Sequence, residues 1–371
     1  MMPAKSKAKK EAPEEKSLKG PPVDVLLARM KKSTIAGIKR GDMLSRSAVD
    51  EVIPLGIDAF DHHIFGGCGG IPVGRMGEIY GDADCGKTSL GLAILAAAQR
   101  AGGLGIFVET ERTIVLSRAL AFGVNLTNLV LSEPDDTEDV LNTILDLLGA
   151  IPDNVGPNVI VWDSIASAEL KGQAAKGFGK AGFVGKKGFL FSSALPVFSR
   201  LLKEKRCALV FINQVRDKIG VFFGDSVTTP GGHAPKFQSS WRVQLWRGAG
   251  VKATNGQIVG VHTTAKAVKS KVCFPFRKAK LRLLFASGWD NEWSLIHVCK
   301  TLKLVSGKIT ATPELLATLR QKLIELPQRE VALAPDAEDE ANPGTEVVEE
   351  QNPYFTPEDA DLDLTGTGFA L

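Results

Sequence analysis

One glycine-rich segment, placed between an apolar strand and an Ala/Leu-rich helix, constrains the fold of this chain more than any other feature. Apolar residues at 76–80 precede it, and the helical pattern of residues 89–100 follows it. The segment contains the pattern G-x-x-x-x-G-K-T, which in a strand–loop–helix context is typical of a phosphate-binding loop. The alternative is a glycine-rich turn that precedes a helix by chance, and a full match to this eight-residue pattern with both flanks disfavours it. The loop and its first helical residues are Gly81, Asp82, Ala83, Asp84, Cys85, Gly86, Lys87, Thr88 and Ser89.

The chemistry expected of this loop follows from its geometry. Glycines allow successive backbone N–H groups to curl around a phosphate at a helix N-terminus, where the helix dipole favours an anion. Lys87 is expected to reach the β- and γ-phosphates, and the Thr88 hydroxyl to be a ligand of Mg²⁺. The segment therefore predicts a nucleoside triphosphate site.

The rest of the chain predicts an α/β fold. Continuous apolar strands alternate with helices from residue 76 onward, a pattern typical of a buried, mostly parallel sheet flanked by helices. Thr137 is expected to cap a helix over residues 136–148. Three later strands, at 241–246, 260–268 and 280–285, are expected as antiparallel additions to the sheet, followed by helices at 293–304 and 313–326.

Composition and charge limit the class of protein. No apolar run approaches the roughly 18–20 residues of a membrane span, the first residues lack the apolar region of a secretory signal, and five scattered cysteines favour reduced thiols. We therefore expect a cytoplasmic protein, of a bacterium or of a phage-infected host. After Glu330 there are eleven acidic residues and no Lys or Arg, so the net charge of +3 conceals a basic body. That asymmetry favours a polyanionic partner over the alternative of a merely solubilising tail.

Polar residues at predicted strand ends are candidates for catalysis, because ligands in open α/β sheets collect there. Asp163 ends an apolar strand and is expected to hold Mg²⁺, the alternative being a carboxylate that caps a turn. Glu111 and Glu109 compete as the base for the attacking water, and spacing does not separate them. Gln214, at the end of another strand, is a candidate contact to the γ-phosphate, the alternative being an ordinary polar strand end.

Two basic, glycine-rich loops, at about 169–188 and 214–233, resemble nucleic-acid surfaces. Lysines can neutralise phosphates, and interleaved aromatic rings can pack against bases. Either loop alone could be merely solvated, but two loops after strands of the nucleotide site favour DNA. The candidate DNA-binding residues are Lys171, Lys176, Phe178, Lys180, Phe183, Lys186, Lys187, Arg216, Lys218, Phe222, Gly231 and Gly232.

Three stretches of residues 53–285 resemble the RecA family of homologous-recombination ATPases, and specifically its bacterial and phage members. The most specific stretch is Phe-Ile-Asn-Gln-Val-Arg-Asp-Lys-Ile-Gly-Val-Phe-Phe-Gly from residue 211, continuing to Thr-Thr-Pro-Gly-Gly-His-Ala-Pro-Lys-Phe at 228–237. Val-Ile-Val-Trp-Asp-Ser from residue 159 and Gly-Ile-Pro-Val-Gly-Arg-Met-Gly-Glu-Ile-Tyr-Gly from residue 70 support it. The resemblance implies a RecA-like P-loop core that uses ATP and Mg²⁺.

The resemblance also implies roles for single residues. It favours Glu111 over Glu109 as the catalytic glutamate and makes Gln214 the nucleotide-sensing glutamine. Lys269 and Lys271 resemble a Lys-x-Lys pair that reaches the neighbouring protomer's ATP, and Phe237 an aromatic residue of the filament interface. One departure is Arg118, which stands where the family often places a tyrosine against adenine.

The resemblance completes the expected domain organisation. Residues 1–20 are expected to be disordered, 21–50 to form a helical polymerisation arm and linker, and 51–288 the ATPase core with both loops. Residues 289–327 are expected to form a small helical region that does not match the family's usual C-terminal domain, and 328–371 a disordered acidic tail.

The expected function is that of an ATP-dependent recombinase, which forms helical homo-oligomeric filaments on single-stranded DNA and pairs them with double-stranded DNA. A LexA-like repressor is a further partner that the resemblance allows. The first rival is an ATP-binding accessory or regulatory relative without strand exchange. The second is a RecA-fold ring helicase, which should lack the signature at 211–237.

The acidic tail generates a first prediction. If the tail competes with DNA for the basic body, deletion of residues 331–371 will strengthen binding of duplex DNA, because the competing negative charges are removed. Titrations of duplex DNA at several salt concentrations measure this. An affinity equal to that of the full chain across the salt series would contradict the prediction.

Overall fold

The computed structural model describes residues 49–172, 185–217 and 227–329. The predicted polymerisation arm up to residue 48, the predicted acidic tail from residue 330 onward, and part of each predicted DNA loop lie outside the described residues. The prediction that the disordered tail begins at residue 328 is wrong, because the last described helix runs to Arg329. The predicted DNA-binding residues that lie there are Lys176, Phe178, Lys180, Phe183, Lys218 and Phe222.

A large sheet forms the centre of the described structure. Nine of the described strands form it, in the order β13-β12-β11-β10-β3-β7-β6-β4-β5. The described strands are β1 Val52–Ile53, β2 Ile71–Pro72, β3 Met76–Gly81, β4 Gly105–Glu109, β5 Leu129–Ser132, β6 Asn158–Asp163, β7 Cys207–Gln214, β8 Arg216–Asp217, β9 Val227–Thr228, β10 Trp241–Lys252, β11 Ile258–Ser270, β12 Lys278–Leu284 and β13 Gly288–Asp290.

Helices pack on both sides of the sheet. They are α1 Lys87–Arg100, α2 Leu116–Ala121, α3 Thr137–Ala150, α4 Lys186–Glu204, α5 His233–Gln238, α6 Asn291–Thr301 and α7 Pro313–Arg329. A π-helical turn at Ala59–Ile64 and a 3₁₀ turn at Leu126–Asn128 complete the described elements. No helix in the described ranges is long and apolar enough to cross a membrane.

Strand alternation divides the apolar core into two layers. Along β6, Val159 and Val161 belong to the cluster that contains α1, whereas Ile160 and Trp162 belong to the cluster that contains α3 and α4. Since successive side chains of a strand point to opposite faces, an uninterrupted apolar strand must be covered on both sides. The predicted α/β class, with a mostly parallel sheet between helices, is confirmed.

The orientation predicted for the strand after residue 241 is wrong. β10 pairs in parallel with β3, and only β11, β12 and β13 continue the sheet as antiparallel neighbours. A long connection through α5 brings the chain back beside β3, so β10 can run in the direction of β3. Short hairpin connections then require the following strands to reverse.

The predicted cap of α3 is also displaced by one residue. Asp136 is the N-cap, and its Oδ1 accepts from the backbone N–H of Asp139 at 2.8 Å. The Thr137 hydroxyl instead donates to the carbonyl of Glu169 at 2.8 Å. Asp and Thr are both good caps, so only this contact to a distant segment distinguishes them.

The last two helices share the core of the sheet. Leu295 of α6 and Leu319 and Leu323 of α7 belong to the same buried cluster as α1. On α7, Arg320 donates through Nε to Oδ1 of Asp58 at 2.7 Å, just before the π-helical turn. The predicted C-terminal helical region is therefore packed against the core.

A buried ion pair lies between the central strands. Glu78 of β3 is fully buried, and Arg242 of β10 donates to its Oε2. Oε1 of Glu78 accepts from the side-chain amide of Asn213 on β7 at 2.9 Å. The same amide donates to the carbonyl of Pro230 at 2.9 Å, where the second predicted loop returns to the core. The pair thus connects three strands with the end of that loop.

Removing one partner of this pair tests its contribution to stability. We expect Arg242→Met to lower the free energy of unfolding by roughly 3–5 kcal/mol, because Glu78 is left charged and buried without a cation. Urea unfolding measures the change. The double variant Arg242→Met, Glu78→Gln should recover part of the loss, and a single variant within about 0.5 kcal/mol of the unchanged protein would contradict this account.

Candidate functional site

The glycine-rich loop forms a cradle at the start of α1. Gly81 ends β3 under the carbonyl of Leu245, where an added Cβ would lie 2.1 Å from that oxygen. Gly86 precedes the helix with φ +90°, a conformation that favours glycine. The loop therefore brings the free N–H groups of the helix N-terminus to one concave surface. Lys87 lies over this surface, and its ammonium group donates to the carbonyl of Asp82.

Thr88 and Asp163 meet beside the cradle. The Thr88 hydroxyl donates to Oδ2 of Asp163 at 2.6 Å. Burial raises the pKa of Asp163 to about 7, and the carboxylates of Glu111 and Glu109 act in the same direction, against the Thr88 hydrogen bond and Lys87. A hydroxyl and a carboxylate so close together, among other carboxylates, fit Mg²⁺, which prefers oxygen ligands and retains several waters.

The two glutamates that spacing left as equal candidates have different surroundings. Oε1 of Glu109 accepts from the backbone N–H groups of Thr113 and Ile114, the latter at 2.8 Å, and the residue is 2% exposed. Glu109 thus holds the turn that follows β4. Glu111 faces the cavity instead.

Two donors hold the Glu111 carboxylate. Its Oε1 accepts from the Ser164 hydroxyl at 2.7 Å and from Nε2 of Gln214 at 3.1 Å. Ser164 directly follows Asp163, and Gln214 is the last residue of β7. Sequence reasoning selected Gln214 but missed Ser164, although its position one residue beyond the strand-end carboxylate was an available signal.

A cavity of about 620 Å³ joins these groups, within the size range of ligand pockets in proteins. Of the predicted nucleotide-site residues, all but Cys85 line it. Arg118 lines it from α2, and its Nη2 donates to the Ser89 hydroxyl at 3.0 Å. Sequence reasoning missed the lining residues Leu92, Thr113, Ile114, Val115, Val215, Arg247, Val261, Leu283 and Phe285.

The predicted interface lysines lie apart from this cavity. Lys269 and Lys271 both donate to the carbonyl of Phe237 at 3.1 Å, and Lys269 also donates to that of Lys236 at 2.6 Å. Burial lowers the pKa of Lys269 to about 8, and the positive charges of Lys271 and Arg242 contribute. The Phe237 ring is 68% exposed beside them. These residues form one group on the surface, and none of them lines the cavity of its own chain.

The described residues of the first predicted DNA loop are held in two ways. Lys171 pairs with Asp139 at 3.0 Å and Lys186 with Glu138 at 2.9 Å. Lys187 turns inward and donates to the carbonyls of Ile165 and Ala168. The prediction that Lys186 and Lys187 lie in a loop is wrong, because helix α4 begins at Lys186 instead of at residue 190.

The described residues of the second loop lie close to the nucleotide site. Arg216 begins β8 immediately after Gln214 and Val215, and pairs through its backbone with Thr228 of β9. Gly231 and Gly232 have φ +98° and +76° and form the turn before α5. An added Cβ at Gly231 would lie 3.1 Å from the Ile165 side chain, so this turn packs close to the turn that follows β6.

Comparison with known proteins gives a family. The model of the RecA N-terminal domain matches residues 31–290. A protein named Protein RecA from Symbiobacterium thermophilum is 38% identical over 280 residues, covering 74% of this chain and 77% of the relative. The Protein RecA of Thermus thermophilus is 37% identical over 318 residues (78% and 89%), and that of Methylococcus capsulatus 39% over 266 (70% and 73%).

The relatives match most of this chain, and the family model spans the residues that line the cavity. They do not favour the accessory protein or the ring helicase. The chain belongs to the RecA family of recombination ATPases.

Proposed function

We propose that this chain is a DNA-dependent ATPase, in which ATP bound between protomers stabilises a helical filament on single-stranded DNA for pairing with duplex DNA and strand exchange. The observation that carries the proposal is the position of Glu111. Its carboxylate lines the same cavity as Thr88 and Asp163 and is hydrogen-bonded to Gln214, the residue from which the second loop departs. One contact thus joins the hydrolytic group to a candidate DNA-binding segment.

The residues of the cavity divide the work of hydrolysis. The N–H groups of the loop and the Lys87 ammonium bind the phosphates, and the packed walls orient them. Thr88 and Asp163 would hold Mg²⁺, which neutralises phosphate charge when bound. Glu111 accepts the proton of the attacking water, so that the nucleophile develops negative charge only as it attacks. Arg118 provides a planar cation on the α2 side of the cavity, where it can stack on the base.

Gln214 provides the coupling to DNA. In the described structure its amide occupies an acceptor position of Glu111. A strand of DNA that moves the second loop moves the end of β7 with it, which changes what the Glu111 carboxylate can accept. Arg216, two residues further on, has an exposed side chain that can neutralise a DNA phosphate.

Lys269, Lys271 and Phe237 are proposed as the part of the site that acts on the neighbouring protomer. They form a single group at the surface outside their own cavity, with Lys271 and Phe237 exposed and Lys269 half-buried. Two ammonium groups that enter the neighbour's cavity would stabilise the charge that develops on the transferred phosphate, as an arginine finger does. Filament assembly would then complete each active site.

Hydrolysis with and without single-stranded DNA tests the proposed function. We expect strong stimulation by DNA, its loss in Lys87→Ala, and a kcat roughly 10²–10⁴-fold lower in Glu111→Gln, which keeps the hydrogen bonds but removes the base. Nucleotide binding, measured separately, should persist in Glu111→Gln. Glu109→Gln is the matched control for the choice between the two glutamates. Nucleotide and DNA binding without hydrolysis in the unchanged protein would contradict the proposal and favour an accessory protein.

The double variant Lys269→Ala, Lys271→Ala tests the action on the neighbouring site. The DNA-stimulated kcat should fall roughly 10³-fold, as when a finger residue is lost, while the thermal unfolding temperature of the free protein changes little. Lys266→Ala, on the same strand, is the matched control. Mixing the double variant with Glu111→Gln should restore some hydrolysis. At some interfaces, the intact Glu111 of a double-variant protomer then faces the intact Lys269 and Lys271 of a Glu111→Gln protomer. Full activity of the double variant alone would exclude an action in trans.

A further inference from the structure

Two adjacent lysines begin helix α4, and their side chains meet different surroundings. Lys186 is exposed, and its ammonium group pairs with Glu138 of α3 at 2.9 Å. Lys187 is half-buried and donates to the carbonyl of Ile165 at 2.6 Å and to that of Ala168 at 2.5 Å. Successive side chains of a helix differ by about 100° in direction. Lys186 can therefore point outward while Lys187 points inward.

Lys187 lies where a positive charge is electrostatically unfavourable, and its hydrogen bonds to the turn offset that cost. A positive charge in the first turn of a helix opposes the helix dipole. Burial lowers the pKa of Lys187 to about 8, Arg216 acts in the same direction, and Glu169 acts against both. Backbone carbonyls of a buried turn need donors, and an ammonium group supplies three. Lys187 is therefore positioned to fix the turn that follows β6.

That turn also holds the catalytic carboxylate. Ser164, fully buried at its start, donates to Oε1 of Glu111 at 2.7 Å. The backbone N–H of Ile165 donates to the carbonyl of Ile212 on β7 at 3.1 Å, and the Ser167 hydroxyl to the carbonyl of Ser164 at 2.9 Å. The contacts run from Lys187 through the carbonyl of Ile165 to Ser164, the preceding residue, and then to Glu111.

We propose that Lys187 is a positioning residue for ATP hydrolysis and is not a contact to DNA phosphates. It acts on Glu111 through the turn at residues 164–168, called the Ser164 turn below. Lys187 lies in the first turn of α4, at the end of the first predicted DNA loop, and its hydrogen bonds link that position with the Glu111 carboxylate. The inference rests on the proposed function, because it assigns Lys187 a part in the DNA-stimulated reaction. Lys186, with its exposed ammonium group, is the member of the pair that is available to DNA once its pairing with Glu138 is exchanged for a phosphate.

The test compares Lys187→Met with Lys186→Met as the matched control. For Lys187→Met we expect a DNA-stimulated kcat roughly 10–100-fold lower, since misplacement of a catalytic group has effects of this size. The KM for ATP, the affinity for single-stranded DNA and the dependence of that affinity on salt should stay unchanged. Lys186→Met should lose affinity for single-stranded DNA, and the slope of that affinity against salt should fall by about the value of one phosphate contact.

Further variants separate positioning from folding. Lys187→Arg keeps a cationic donor and should retain more of the kcat than Lys187→Met, whereas thermal unfolding shows whether either variant is folded. A Lys187→Met protein that keeps its kcat, or that loses DNA affinity and salt slope as Lys186→Met does, would overturn the inference. If Lys187→Met does not fold, a Lys187→Arg protein with unchanged unfolding temperature and kcat but lower DNA affinity would overturn it equally. Absence of DNA-stimulated hydrolysis in the unchanged protein would instead overturn the proposed function.

Discussion

The parallel register of the central strands is the constraint on which the rest of this structure depends. Gly81 lies beside Gln214 across β3 and β7, and Glu109 lies beside Asp163 across β4 and β6. Because parallel strands present their carboxyl ends at one edge, the phosphate loop, the Thr88–Asp163 pair and Gln214 meet there. Glu111 lies at the same edge, within the turn that Glu109 holds through the backbone N–H groups of Thr113 and Ile114.

Charge is buried beneath this edge, and it connects the edge with the surfaces around it. The Glu78 carboxylate accepts hydrogen bonds from Arg242 and from the side-chain amide of Asn213. The same amide donates to the carbonyl of Pro230 at the end of the second predicted loop. A buried pair of this kind adds little net stability compared with apolar packing. The pair instead selects one arrangement of β3, β7 and β10, because its hydrogen bonds form together only in that arrangement. The loop end is thereby held in a fixed relation to β7, whose last residue is Gln214.

Local patterns predicted the parts of the site that local chemistry determines. The phosphate loop needs its glycines and lysine at fixed spacing, and Asp163 and Gln214 follow apolar runs that periodicity reveals. The family and the fold class were recognised from the same stretches. The roles of the individual site residues remain predictions, although the different surroundings of Glu109 and Glu111 support the assignment of the base.

Contacts between distant segments determine the features that the sequence did not predict. Arg247 and Phe285 line the cavity because β10 runs parallel to β3 and brings the following hairpin strands to the phosphate loop. The sequence between residues 241 and 246 contains nothing that distinguishes a parallel from an antiparallel partner. Asp136 and Thr137 are both good helix caps, and the hydrogen bond from the Thr137 hydroxyl to the carbonyl of Glu169 leaves Asp136 as the cap. Helix α4 begins before residue 190 because its first lysines are held by Glu138 and by the Ser164 turn, which no local periodicity contains.

The same long-range contacts bring the two predicted DNA loops to a single carboxylate. Gln214 lies at the start of the second predicted loop, and Ser164 lies in the turn that precedes the first and accepts hydrogen bonds from Lys187. Both side chains donate to Oε1 of Glu111. An oxygen with two donors has its lone pairs engaged, so displacement of either donor changes what the carboxylate can accept from water. If Lys187 fixes the Ser164 turn while Gln214 moves with its loop, one donor is constant and the other variable. Hydrolysis would then respond to DNA through the second loop, and the first loop would set the geometry in which that response occurs.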